Sequence, residues 1–136
     1  MNIKRFVAAS LAVFVVAMAL DFLIYGVILK ATYDSLKHLW RPAVELMWRM
    51  LVPVGLVFSP LFTYIFVKGY EGRGILEGVR FGVIIGLFIC FPTACGMYMA
   101  IAIPYSLALQ MFVYGMVEMI VLGIVAALVY KPAASA

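Results

Sequence analysis

Charged side chains are scarce in this sequence, and so are the residue types that most often carry out chemistry. Only 12% of the 136 residues are charged, and the chain has one histidine and two cysteines, whereas soluble domains average about 25% charged residues. The lone His38 excludes a site built from several histidines. Cys90 and Cys95 are spaced C-x4-C, which fits neither a CxxC redox motif nor a zinc knuckle. No Ser-His-Asp set or phosphate-binding glycine loop can be assembled, so we predict no enzyme, no catalytic residue, no cofactor and no metal.

Apolar residues dominate instead, at 68% of the chain and with a mean hydropathy of +1.17. They concentrate in four runs: residues 6–29, 47–67, 81–103 and 107–130. About 20 apolar residues form a helix that crosses a hydrocarbon layer of about 30 Å. Within lipid every backbone amide must bond inside its own segment, which favours helices. The sequence therefore predicts an all-α integral membrane four-helix bundle, up-down-up-down, as a single transmembrane domain over residues 1–136.

The basic residues give the expected orientation. Lys4 and Arg5 before an apolar run resemble a secretory signal, but the run continues to Leu29, so we expect an uncleaved first helix. With four spans both termini share one side, which carries Lys4, Arg5, Lys68, Arg73, Arg80 and Lys131. The other side carries Lys30, Lys37, Arg41 and Arg49. This excess predicts cytoplasmic termini. The net charge of +4 is small and scattered, so we expect the lipid bilayer and no nucleic acid as a partner.

A row of small residues marks the third apolar run. It consists of Gly74, Gly78, Gly82, Gly86, Cys90 and Ala94, spaced by four. On a helix this spacing forms one stripe, and small side chains let two helix backbones approach closely in lipid. Two interpretations stay open. The row packs against another helix of the same chain, or it contacts a second copy or another membrane subunit.

A second pattern extends beyond this row. The segment from Phe66-Val67-Lys68-Gly69 through Glu77-Gly78-Val79-Arg80-Phe81-Gly82, with Tyr114 and Gly123 in the last run, resembles an uncharacterised family of small four-helix bacterial membrane proteins. That family is a domain of unknown function and brings no established activity or site residues. The resemblance implies the four-helix fold and a location in the bacterial inner membrane.

Polar residues in the last apolar run point to a candidate path. Ser106, Gln110, Tyr114 and Glu118 recur every four residues, and Glu118 lies near the middle of the predicted span. An acidic group at that depth costs about 2.5–3.5 kcal/mol on insertion scales unless it is paired or protonated. The row either lines a hydrated half-path that ends at Glu118 for a proton or a cation, or it holds a neutral glutamate in a structural hydrogen bond.

Other charges in the runs need partners. Asp21 lies about 24 Å along the first predicted helix from Arg5. Arg49 opens the second helix at a similar depth, so we predict a buried Asp21–Arg49 ion pair. Arg80 is one or two turns inside the third helix, within reach of Glu77. By depth, Asp21 and Glu118 are predicted to lie too far apart to act together.

Sulfur-containing residues are plentiful, with nine methionines beside the two cysteines. They fill irregular apolar gaps or, alternatively, bind a soft metal such as Cu(I). The leading functional prediction is a non-enzymatic small polytopic membrane protein that acts through helix–helix packing, as a subunit of a membrane complex or a homo-oligomer. The alternative is a small proton- or cation-coupled transporter that uses Glu118.

Overall fold

The computed structural model describes residues 2–39 and 44–131, with side chains omitted for 44–48. All regular elements in this part of the chain are helical, in the following order: α1 (Ile3–Leu23), α2 (Lys30–Ser35), α3 (Val44–Lys68), α4 (Ile75–Ala100) and α5 (Tyr105–Tyr130). The prediction of an all-helical chain is confirmed within these residues. Arg41, which enters the count of basic residues, lies outside them.

Four of the helices are long and apolar enough to cross a membrane: Ile3–Ile28, Arg49–Lys68, Ile75–Ala100 and Tyr105–Tyr130. The prediction of four long apolar helices is therefore confirmed. The third long helix begins at Ile75, as the turn of glycines and charges over residues 68–74 predicts, six residues before the apolar run 81–103. In its first turn, the Glu77 carboxylate accepts hydrogen bonds from the amides of Glu71 and Arg73 in the preceding turn. Arg80 on its second turn pairs with Glu71. Hydropathy marks where a helix can enter lipid, whereas polar contacts extend the helix beyond that point.

The first long helix ends in an unusual turn. Ile24–Ile28 forms a π-helical turn, closed by a hydrogen bond of 2.8 Å from the Leu29 amide to the Ile24 carbonyl. A short connection follows, made of α2 and a 3-10 turn at Lys37–Leu39. π turns are rare and occur frequently at functional sites. This turn places Tyr25 directly after the stretch that carries Asp21.

Proline does not break the long helices. Pro53 and Pro60 lie inside α3, and Pro92 lies inside α4. The sequence predicts a kink or local unwinding at Pro92. α4 is helical from Ile75 through Ala100, so the helix does not unwind there, and the kink stays a prediction. Each of these prolines still removes one amide hydrogen, so the carbonyl four residues earlier loses its α-helical partner.

The long helices pack around two apolar clusters. α4 lies along α5, and α1 lies between α3 and α5. The larger cluster is built from Ala9, Val13, Ala17, Phe62, Phe66, Met119, Leu122, Ala126, Ala127 and Tyr130. Because Tyr70 packs against it, we call this end of the bundle the Tyr70 end. The smaller cluster, of Ile24, Leu29, Ile103, Leu107 and Ala108, defines the opposite Leu29 end.

Candidate functional site

Two acidic side chains meet inside the bundle. The carboxyl groups of Asp21 on α1 and Glu118 on α5 lie within hydrogen-bonding reach of each other. Glu118 is only 7% exposed, and Asp21 is partly buried. The prediction that the two lie too far apart in depth is therefore wrong.

The register of α1 against α5 explains this meeting. On α1 the buried residues follow steps of four, as Ala9, Val13 and Ala17, and the next step is Asp21. These residues pack in one cluster with Met119, Leu122 and Ala126 of α5. On α5, steps of four counted back from Ala126 through Leu122 lead to Glu118. The two chain directions are opposite, so the two rows of steps converge on one acidic pair.

A hydrogen bond between the two carboxyl groups requires at least one proton. Two ionised carboxylates are both pure acceptors, so a hydrogen bond between them needs a proton on one of them. When hydrogen-bonded, the two carboxyl groups hold one proton with a net charge of −1, or two protons with no charge. Among the described residues the ion pairs are Arg73–Glu71 at 2.9 Å and Arg80–Glu71 at 3.5 Å. In this part of the chain no basic side chain forms an ion pair with Asp21 or Glu118.

Arg49 is not the partner that the sequence suggested. It lies on the exposed surface of α3, and the ion pairs among the described residues do not include an Asp21–Arg49 pair. Depth along each helix placed the two residues at one level, but it does not say which way each side chain faces. Asp21 faces α5, where Glu118 is available.

A cleft opens beside the acidic pair. It has a volume of about 160 Å³, and its lining includes Glu118, Tyr25 of the π turn, and Cys90 and Thr93 of α4. The Thr93 hydroxyl donates to the Ile89 carbonyl at 2.6 Å. A water molecule needs about 10–15 Å³ of such space and two to four polar partners. The cleft therefore has room for water next to Glu118.

Tyr25 connects this cleft to the Leu29 end. Its ring meets the ring of Tyr33, on α2, edge-on at a centroid distance of 5.8 Å. Burial raises the pKa of Tyr33 to about 12. Both tyrosines pack against the apolar cluster of the Leu29 end, and Tyr25 also lines the cleft.

The predicted polar row on α5 only partly reaches this cleft. Ser106 and Gln110 are exposed, and Tyr114 is partly buried among the apolar residues of the Leu29 end. Of the four residues, Glu118 alone lines the cleft. The polar groups near Glu118 come instead from α1, the π turn and α4. Thr93 was missed by sequence reasoning, because a lone threonine in an apolar run carries no periodic signal.

The small-residue row lies against α5 of the same chain. Gly78 meets the backbone of Gly123, and a Cβ at Gly82 would lie 2.5 Å from Ile120 Cα. Gly86 faces Met116, and Cys90 covers Gly115. Ala94 is buried as well. Of the two interpretations of this row, the structure supports packing within the chain, between α4 and α5.

Gly74 does not belong to that row. It precedes α4 as its N-cap with a positive φ of 75°, and a Cβ there would have no atom within 4 Å. Its role is conformational, because a positive φ is a backbone geometry that glycine adopts without steric cost. The packed row therefore begins at Gly78.

Glu77 organises the turn between α3 and α4. Its carboxylate accepts hydrogen bonds from the Glu71 amide at 2.5 Å and from the Arg73 amide at 2.9 Å. The sequence suggested that Arg80 pairs with Glu77, but Arg80 pairs with Glu71 instead. Burial and the nearby Glu77 raise the pKa of Tyr70, while Arg5 opposes the shift. A buried acid thus serves as a structural acceptor here, in contrast to the acidic pair.

The two cysteines lie in different environments. Cys90 is partly buried and Cys95 is exposed, and both are free thiols. Within residues 2–39 and 44–131, no three side chains of histidine, cysteine or acidic type gather as a metal site would require. His38 is exposed in the 3-10 turn.

No protein-family profile, curated protein or solved structure matches this chain. The resemblance to a family of small four-helix bacterial membrane proteins stays a prediction from the sequence.

Proposed function

We propose that this is a non-enzymatic membrane protein that carries protons across a bilayer, alone or coupled to a cation, with Asp21 and Glu118 as the proton-exchanging pair. The observation that supports this proposal is that the two carboxyls lie within hydrogen-bonding reach of each other inside the bundle. In this proposal the four long helices cross a bacterial inner membrane as an up-down-up-down bundle with both termini in the cytoplasm.

The energetics favour an exchanging pair over two independent acids. An acidic residue at the centre of a spanning helix costs about 2.5–3.5 kcal/mol on insertion scales. A structural role needs no acid at either position, because apolar side chains fill helix interfaces without this cost. Two carboxyls with one proton between them carry a charge, and a second proton removes it. That change of one charge is the elementary event of proton transfer.

The cleft supplies one side of the proposed route. It brings Glu118 within reach of water-sized space lined by Tyr25 and Thr93. Protons enter from the Leu29 end through this cleft, and Glu118 receives them before Asp21 does. Ser106 and Gln110 have no part in this route.

Assembly with another membrane subunit or a second copy stays a prediction. Its main argument was the small-residue row, and three of its glycines, Gly78, Gly82 and Gly86, contact α5 instead. A subunit role therefore depends on surfaces other than this row.

Proton flux into liposomes tests the proposal. Purified protein is reconstituted around a pH-sensitive dye, and a potassium gradient with valinomycin drives proton entry. Flux is expected in the wild type and is expected to fall to the level of empty liposomes in Glu118→Gln and Asp21→Asn, since an amide keeps the shape and the hydrogen bond but cannot exchange a proton. Asp34→Asn makes the same chemical change on exposed α2 and is the matched control.

A second measurement separates loss of function from loss of fold. Infrared difference spectra at neutral pH are expected to show the band of a protonated carboxyl in the wild type, lost in the Asp21 and Glu118 variants. Circular dichroism should be unchanged in all three variants. Wild-type flux equal to that of empty liposomes, or undiminished flux in both amide variants, would overturn the proposal.

A further inference from the structure

An apolar groove runs between α1 and α3 on the outer surface of the bundle. It has a volume of about 230 Å³. Val7, Leu11 and Leu56 are among its lining residues, and they are 49%, 58% and 55% exposed, so the groove is open to its surroundings. The oxygen atoms of Ser10 and Ser59, which also line it, are buried. The surface that the groove offers to a guest is therefore apolar.

Side-chain size explains where the groove begins and ends. Ser10 of α1 and Ser59 of α3 are small and leave space between the two helices. Phe14 closes the groove on the side of the acidic pair. A Cβ at Gly55 would lie 2.9 Å from the Phe14 ring and 2.8 Å from the Met18 methyl group, so α1 and α3 touch there. A guest can therefore enter from the outer surface and extend only towards the Tyr70 end.

The groove has the depth of one lipid leaflet. Lys4 and Phe14 are ten residues apart on α1, which is about 15 Å along the helix. This distance is half of a hydrocarbon layer of about 30 Å. Lys4, Val7 and Leu11 follow one another at helical spacing, so they share one face of α1. A fatty acyl chain with its headgroup at Lys4 would thus end near Phe14.

Lysines flank the groove at the Tyr70 end. Lys4 is exposed on α1. Lys68 lies on the other side, in the last turn of α3, with its Nζ 5.4 Å from the centre of the Tyr64 ring. Among the described residues neither lysine forms an ion pair. Both ammonium groups are therefore available to an anion.

The acidic residues of the same end have other partners. Glu71 pairs with Arg73 at 2.9 Å and with Arg80 at 3.5 Å. Glu77 accepts the amides of Glu71 and Arg73. In the described part of the chain these contacts leave the rim of the groove positively charged, which favours an anionic headgroup over a zwitterionic one.

We propose that the groove binds an anionic phospholipid, with one acyl chain between α1 and α3 and the phosphate at Lys4 and Lys68. The proposal rests on the bilayer location and orientation given in the proposed function, and it does not depend on proton flux. In that orientation the two lysines lie at the cytoplasmic leaflet. Anionic lipids give this leaflet its negative surface potential, and basic pockets between helices bind their headgroups there.

The lysines also argue against a second copy of the chain as the occupant. Copies inserted in one membrane share the same orientation, so a second copy would bring its own Lys4 and Lys68 to the same depth. Like charges would then face each other at the rim. A phospholipid supplies the opposite charge at that depth and an apolar chain below it.

Native mass spectrometry tests the headgroup. Delipidated protein in a non-ionic detergent is titrated with phosphatidylglycerol or with phosphatidylcholine that has the same acyl chains. The wild type is expected to bind phosphatidylglycerol roughly tenfold more tightly, since each lysine near the phosphate adds attraction. The double variant Lys4→Gln with Lys68→Gln is expected to lose this preference. Lys30→Gln with Lys37→Gln removes the same charge at the Leu29 end and is the matched control.

A pair of leucines tests the acyl chain. Leu56 lines the groove, whereas Leu61 on the same helix does not, and they are 55% and 56% exposed. Leu56→Ala is expected to weaken the binding of phosphatidylglycerol, and Leu61→Ala is expected to keep the wild-type affinity. Both variants should melt at the same temperature without lipid, because both lose a half-exposed side chain. Glycerol phosphate, which has no acyl chain, is expected not to displace the lipid.

The outcomes separate this proposal from the proposed function. Equal affinity for the two lipids, or an equal effect of Leu56→Ala and Leu61→Ala, would overturn the lipid site. A lipid-free dimer that Leu56→Ala alone disrupts would also overturn it, because the groove would then hold a second copy. Selective lipid binding by a wild type without proton flux supports the lipid site and ends the proposed function. Release of the protein from membranes by sodium carbonate would overturn both.

Discussion

The contact between α4 and α5 leads to a quantitative prediction at Gly82. A Cβ at this position would lie 2.5 Å from Ile120 Cα and 2.6 Å from the Met119 carbonyl oxygen, whereas ordinary contact begins at 3.4 Å. The two helices would have to separate by about 1 Å, because both neighbouring atoms belong to the backbone and cannot rotate away. Overpacking of this kind costs about 1–3 kcal/mol.

Gly96 provides the matched control on the same helix. A Cβ at Gly96 would have no atom within 4 Å, so Gly96→Ala should be neutral or stabilising by up to about 1 kcal/mol through helix propensity. Gly82→Ala and Gly96→Ala are therefore expected to differ by about 1–4 kcal/mol in free energy of unfolding. Gly86→Ala should fall between them, since its nearest neighbour is the flexible end of Met116.

Unfolding by sodium dodecyl sulfate in mixed micelles, followed by circular dichroism, measures these differences. The three variants receive the same added methyl group in the same helix, so the spread among them reports the contact with α5. Equal stability of Gly82→Ala and Gly96→Ala would refute the close α4–α5 packing. A destabilised Gly96→Ala would refute the reasoning in a different way, by showing that α4 has another neighbour at Gly96.

Two further predictions concern the ends of the bundle. Glu77→Ala leaves the amides of Glu71 and Arg73 without their acceptor, so it is expected to lower the free energy of unfolding by about 1–3 kcal/mol. It should also speed amide hydrogen exchange at both positions, and unchanged exchange would contradict these two hydrogen bonds. Tyr33 has its pKa raised by burial from 10.0 to about 12, so stability from its neutral form is full below about pH 10 and is lost as pH rises through 12. In a pH titration followed by phenolate absorbance, the wild type is expected to show a step near pH 12 that is absent from Tyr33→Phe. A wild-type titration without that step would contradict the burial of Tyr33.

Hydropathy was enough to predict the four long helices, because lipid leaves an apolar segment few ways to satisfy its backbone. The acidic pair could not be predicted in this way. Asp21 and Glu118 meet only because α1 and α5 are neighbours in one particular register, and a slip of one turn, about 5.4 Å, would separate them. The apolar runs determine neither which helices are neighbours nor the register between them. One signal was available: Asp21 and Glu118 are the two acids deep inside the predicted runs, and each needed a partner.

The small-residue row was also predicted only in part. Its spacing predicted close helix packing, and Gly78 and Gly82 do approach α5 closely. The partner could not be deduced, because glycine spacing is the same whether the neighbour belongs to the same chain or to another. The π turn at Ile24–Ile28 had no sequence signal, since its residues suit an α-helix equally well.

The pairing of α1 with α5 has a consequence for biosynthesis. Asp21 is made early and Glu118 late, and at a synthesis rate of about 5–20 residues per second the interval between them is roughly 5–20 s. If the helices enter a bilayer as proposed, the ribosome delivers α1 to the membrane during that interval with an acid that still lacks its partner. Release of α1 from the insertion machinery should therefore wait for α5, and nascent chains arrested before Glu118 should remain bound to the translocon or be degraded.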